Sequence, residues 1–161
     1  MKKLLLSILF SSAALGLQAQ TYCTPSYTTG CNVGDDIDDV YIGSFQDTVT
    51  GCTSSFYNVQ TSDTVFIQQT APTAISFTSN YFTQYFAVWI DFNDDGDFDD
   101  SGEHLWSSPT NAWSTTTGSI TIPSTVSLGS YRLRVRSNYT AAITAAQRCS
   151  SFTYGEVHDY T

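Results

Sequence analysis

Between Asp91 and Glu103 the chain reads DFNDDGDFDDSGE, seven carboxylates in thirteen residues. Like charges this close repel, and a cation seated among them relieves that cost. The spacing supports such a role. Counted from Asp91, the stretch places Asn93 at position three, Asp95 at five and Gly96 at six, the DxNxDG order of calcium loops. Calcium takes six to eight oxygens, and alternate residues of a tight loop turn inward together. Asn93 supplies a neutral oxygen, and Gly96 permits the sharp turn that brings later ligands back. Asp97 at seven would offer its backbone carbonyl, and Asp99 at nine would bind directly or through water. In the helix-flanked version a Glu closes position twelve. Here twelve is Gly102 and Glu103 stands at thirteen, between the strand-like flanks FAVWI and HLWS. The expected site is therefore Asp91, Asn93, Asp95, Asp97, Asp99 and Glu103 around one Ca2+, in a loop held between strands. Magnesium suits it less, since that ion keeps more of its water.

Other residues offer less chemistry. A second acidic string, GDDIDD, holds Asp35, Asp36, Asp38 and Asp39. It lacks the calcium-loop spacing and reads as a solvated turn before a strand. His104 and His158 lie far apart and neither belongs to an HExxH, and no GxSxG elbow is present. Glu103 and Glu156 would suit glycoside hydrolysis only if about 5–10 Å apart, and a metal-bound Glu103 would be a poor acid. No enzyme activity is expected of this domain. Trp106 and Trp113 flank the SSPTNA stretch just after the acidic loop. They are candidate ligand contacts, because aromatic faces beside a calcium site stack on sugar rings. The competing expectation is that both rings are buried, as tryptophan mostly is.

These residues need a frame, and the frame reads as strands. Residues 1–19 form a secretory leader, with Lys2 and Lys3 ahead of an apolar run from Leu4 to Leu17 and cleavage expected after Ala19. That run is shorter than the ~20 residues of a membrane span. Residues 20–161 then form a single domain, large enough for a real core, with an extracellular or outer-surface location expected. Four arginines remain in it against fifteen Asp and Glu, a balance that repels phosphate backbones and excludes nucleic acid. Cys23, Cys31, Cys52 and Cys149 all follow the leader, and an even count in an exported chain reads as two disulfides. The sequence does not choose among the three connectivities. A local Cys31–Cys52 loop with a long Cys23–Cys149 closure is the expected one.

Period-two patterns mark strands at residues 38–45, 63–70, 73–79, 118–123, 130–137 and 155–161, and a near-continuous apolar run at 85–92. The last is expected to be central and buried on both faces. In SYRLRVRS, Tyr131, Leu133 and Val135 alternate with Arg132, Arg134 and Arg136. The arginines are expected to pair at the surface with Glu156 or Asp159, worth about 0–1 kcal/mol each. TAAITAAQR, residues 140–148, is the best helix candidate. Short strands at this spacing predict an all-β fold, an antiparallel β-sandwich of jelly-roll type.

Four stretches together resemble one family. YCTPSY at 22–27, VWIDFNDDGDFDDSGE at 88–103, GSYRLRVR at 129–136 and CSSFTYGEVHDYT at 149–161 are similar to the GEVED domain, named for a C-terminal GEVEDY string. His158 replaces that string's second Glu, while Glu156 and Asp159 are kept. The resemblance implies a compact β module of exported bacterial proteins, often fused to peptidases or adhesins. This chain stops one residue after Tyr160, where the family runs on through a strand, so a fragment of a longer protein or a minimal form is expected. The functional expectation is a secreted calcium-binding module with an accessory interaction or structural role, its partner an extracellular glycan or protein. The alternatives are a calcium-dependent carbohydrate-binding module and, behind it, a fragment of a secreted hydrolase.

Overall fold

One strand organises the molecule. In the computed structural model, which describes residues 21–161 apart from Asn111 and the side chains of 82 and 112–114, strand β5 runs over Thr73–Ile90. The sequence suggests two strands here, 73–79 and 85–92, and the structure joins them. The ladder to β7 (Ala112–Ile120) shifts register between Thr78 and Thr83, which marks a corner where the strand passes from one sheet to the other. The first half of β5 pairs antiparallel with β2 (Asp39–Ile42), which forms a hairpin with β3 (Phe45–Thr48). The second half pairs antiparallel with β6 (His104–Ser107) and β8 (Leu133–Asn138). Beyond β8 lies β10 (Val157–Tyr160), and beyond that β4 (Tyr57–Gln60), which runs parallel to β10. A separate parallel pair joins β1 (Tyr27–Gly30) to β9 (Phe152–Tyr154). The all-β sandwich expectation holds, with two parallel pairs inside a mainly antiparallel plan.

The main core fills the space between the two halves. Val40, Ile42, Ile75 and Phe77 meet Phe86, Val88, Leu133, Val135 and Tyr160, and the Phe77 and Phe86 rings stack at 5.3 Å. A second core lies on the outer face of the β5–β8 sheet, where Ala87, Trp89, Phe98 and Ile143 pack with Tyr22, Tyr85 and Phe152. The 85–90 stretch is therefore buried on both faces, as its apolar run requires. The disulfides are Cys31–Cys52 and Cys23–Cys149. The latter straps the N-terminal segment over the second core.

Two expected elements are absent. Residues 63–70 form no strand, and Gln69 makes only an isolated bridge to Ile122. Val65 and Ile67 still pack on the core while Phe66 faces solvent. Alternation there records burial without ladder pairing. The 140–148 stretch supplies only a single 3-10 turn, Ala145–Gln147, before Cys149. Among the described residues no helix is long and apolar enough to cross a membrane. The leader lies outside the described residues.

Candidate functional site

The acidic loop is the tip of the β5–β6 hairpin, and its two end carboxylates hold its shape. Asp91 is fully buried, and its carboxylate accepts from the backbone N–H of Asp94 at 2.7 Å, that of Gly96 at 3.0 Å and the Tyr22 hydroxyl at 2.7 Å. Gly96 turns with φ 96°, a conformation that favours glycine. Glu103, also buried, accepts from the N–H of Phe92 at 2.9 Å and of Asp100 at 3.2 Å. Burial raises its pKa, against the pull of those two hydrogen bonds. The ends of the loop are thus clasped by hydrogen bonds to charged acceptors, the stronger kind.

The remaining acids are exposed. The Asn93 amide donates to Asp95 Oδ2 at 2.8 Å and to Asp100 Oδ2 at 2.5 Å, so Asn93, Asp95 and Asp100 converge at the mouth of the loop. Asp97 Oδ1 accepts from Asp99 N–H at 2.7 Å. Asp99 turns away and pairs with Arg148. A position count does not single out Asp100, because in this loop position ten folds back over position three. Among the described residues no three His, Cys, Asp or Glu side chains close on one point. A cation here would therefore also draw on Asn93 and on backbone oxygens.

A polar cleft of about 280 Å³ opens beside the loop, with Asn93, Asp100 and Glu103 in its wall. It shares Phe92, Val126 and Ser127 with an apolar cleft of about 100 Å³ that reaches Tyr131. Trp106 does not face it. Its ring packs on Phe77 at 5.9 Å and lies tight against Gly118, alongside the main core. The Trp113 side chain lies outside the described residues.

The arginine face differs most from expectation. Arg134 and Arg136 are fully buried rather than surface-exposed, because the strapped N-terminal segment and β9 cover this face. Aromatic rings interleave with them. Arg132 lies 4.6 Å over Tyr22, Arg134 4.7 Å over Phe98, and Arg136 4.4 Å over Phe152, distances at which cation–π attraction is substantial. Arg134 grips Asp159 with two hydrogen bonds of 2.7 and 2.8 Å, and Tyr57 donates to the same carboxylate at 2.6 Å. Burial pushes the Tyr57 hydroxyl up to about 12, helped by the Asp159 charge.

The C-terminal motif proves to be a fastening. Glu156 accepts from Thr53 N–H at 2.8 Å, Thr53 Oγ1 at 2.7 Å and Ile37 N–H at 3.1 Å. It thereby ties the chain beside Cys52 and the chain before β2 to the start of β10. Burial alone would raise its pKa, but His158 and Thr53 together bring it below the usual carboxylate range. His158, buried, contacts the Tyr160 hydroxyl at 2.9 Å and lies 3.4 Å from Glu156. Tyr160 donates to Asp47 at 2.9 Å. Gly155 precedes the motif with φ 122°, and a Cβ there would strike the Ser137 carbonyl. His104, half-buried, meets Ser107 Oγ at 2.8 Å and the Trp89 ring at 5.2 Å. Burial lowers its pKa. Glu103 and Glu156 engage different partners.

The second acidic string is not a solvated turn. Asp35 and Asp36 are 2% and 3% exposed. Asp36 accepts from Asn80 N–H at 3.0 Å and Asn80 Nδ2 at 2.9 Å, and Asp35 accepts from Gln84 Nε2. Both partners sit at the corner of β5, which takes Asp35 and Asp36 out of water, while Asp38 and Asp39 stay half-buried.

Against known families, residues 85–161 match the family model of the GEVED domain. The match runs from the second half of β5 through the acidic loop and the arginine strand to β10. No curated protein and no solved structure matches the chain.

Proposed function

With a GEVED domain over residues 85–161, we propose that this small disulfide-bonded β module works outside the cell and binds calcium through the 91–103 loop, in an accessory interaction or structural role. The observation that carries this reading is the mouth of the loop, where two carboxylates, Asp95 and Asp100, are held together over a single amide, Asn93. Turning that amide about its own axis would present its oxygen in place of its nitrogen. The mouth would then offer calcium Asp95, Asp100 and Asn93, with the Asp97 carbonyl beside them. Asp91 and Glu103 would keep their present task of clasping the ends of the loop. A cation that binds only the folded state contributes about 2.7 kcal/mol at a hundredfold excess over Kd. No catalysis is assigned, because His158 and Glu156 are committed to fastening β10.

The test uses exposed residues, because removing Asp91 would also remove three structural hydrogen bonds. The variant Asp95→Ala with Asp100→Ala is compared with the parent by calorimetry and thermal unfolding in calcium, magnesium and chelator. Loss of one calcium-selective binding event, with part of the calcium-dependent rise in Tm, is expected. An isotherm and a rise identical to the parent's refute the loop assignment.

A second reading is calcium-dependent carbohydrate binding, favoured by the cleft that joins Asn93 and Asp100 to the apolar wall of Phe92 and Val126. On this reading a sugar would lie with its hydroxyls toward the loop and an apolar face on Phe92. A glycan array with and without calcium separates the two readings. Fusion to further domains in a longer protein fits either one.

A further inference from the structure

A second place in the molecule gathers charge without compensation. Asp35 and Asp36 are buried side by side in sequence, and no Lys or Arg among the described residues pairs with either. All four arginines are engaged elsewhere: Arg132 and Arg134 with Asp159, Arg136 with Tyr27 and two backbone carbonyls, Arg148 with Asp99. Burying a carboxylate is costly unless it is paired and hydrogen-bonded. Neighbouring like charges add to that cost.

An independent observation points into the same spot. Gln84 is 1% exposed, and its Oε1 has no hydrogen-bond partner. A buried acceptor left unmade costs about 1–3 kcal/mol, and such groups are few in a native fold. The amide's other atom, Nε2, donates to Asp35 Oδ1. The orphan oxygen therefore belongs to the same planar amide that reaches Asp35.

We propose that Asp35, Asp36 and the Oε1 of Gln84 form a second site for a hard divalent cation of the calcium class, distinct from the 91–103 loop. One ion would answer both anomalies. It would neutralise two buried carboxylates and give the orphan oxygen a partner. Calcium accepts this mixture, since its six to eight ligands commonly include neutral carbonyls and water beside one or two carboxylates. The site stands where Asn80 and Gln84 turn the corner of β5 between the two sheets, and the bound ion would fix the chain leading into β2 against that corner.

The experiment starts from the disulfide-bonded protein carrying Asp95→Ala and Asp100→Ala, so that the loop is silenced. Calcium is titrated into it by calorimetry, and Tm is measured in calcium and in chelator. One calcium-binding event is expected to remain. Adding Asp35→Asn or Gln84→Met is expected to abolish it. In chelator Asp35→Asn should melt at or above the starting protein, because it removes a buried charge and keeps an acceptor for Gln84 Nε2; in calcium it should melt below it. The order therefore inverts with the ion. No residual binding event, or a fall in Tm of the same size in calcium and chelator, overturns the site and leaves these groups as structural hydrogen-bonding partners. Failure of the loop assignment looks different: the starting variant would bind as the parent does.

Discussion

Asp159→Ala should be among the most costly single changes in this protein. The carboxylate has no exposed surface and accepts from Arg134 Nε and one terminal nitrogen, from the Tyr57 hydroxyl and, at 3.4 Å, from Arg132. Its removal leaves the Arg134 guanidinium buried, with two carbonyls, a hydroxyl and a ring face but no anion. Breaking a buried pair from one side costs about 3–5 kcal/mol. A domain of this size commands about 5–15 kcal/mol in all, so the variant would forfeit a large share. Urea unfolding at neutral pH, with disulfides intact and Trp fluorescence as the signal, measures it. Arg134→Met completes a cycle, in which the double variant should cost about 2 kcal/mol less than the sum of the singles. A loss below about 1 kcal/mol for Asp159→Ala would refute the reasoning, since exposed pairs contribute only that much.

The disulfides should differ in weight. In the chain-entropy relation, closing 126 residues through Cys23–Cys149 is worth about 5 kcal/mol and closing 21 through Cys31–Cys52 about 3 kcal/mol; urea unfolding of the two Cys→Ser pairs gives the order, and a reversed order contradicts it. Glu156 should shape the acid limb of stability. Its folded pKa lies below the unfolded one, so its contribution is complete above the ordinary carboxylate pKa of about 4.3 and is lost as pH falls through the folded value. Glu156→Gln should therefore flatten the fall of Tm below about pH 4.3, and a profile parallel to the parent's rules the contribution out.

How well the sequence spoke depended on whether a pattern was local. The loop's DxNxDG spacing marked the turn, because that turn is made by Gly96 and by Asp91 bonding its own neighbours. The apolar run at 85–90 announced its double burial for the same reason. The arginine alternation misled because it records only which face a side chain takes. What covers that face is a segment held more than 100 residues away in sequence by Cys23 and Cys149. Asp35 and Asp36 read as a solvated turn on composition, and only the corner of β5 buries them. Residues 63–70 kept their alternation of burial and lacked strand partners, which no period can report. Asp100 escaped because its partner Asn93 meets it across a fold of the loop rather than at a fixed count.

The long disulfide has a mechanical consequence. A tether pulling on the chain before Cys23 delivers its force directly to Cys149, because the bond is a covalent short circuit across 126 residues. Strands β1 to β8, the acidic loop and the corner of β5 lie inside that closed ring and cannot be extended while it stands. Load continues through residues 149–161, first along β9, held by β1, and then along β10, sheared between β8 and β4. Shear must break that ladder along its whole length at once, and Glu156 anchors the loaded end through Thr53 and Ile37. Pull along this path would pass through one bond and two short strands, leaving the interior of the ring unstretched.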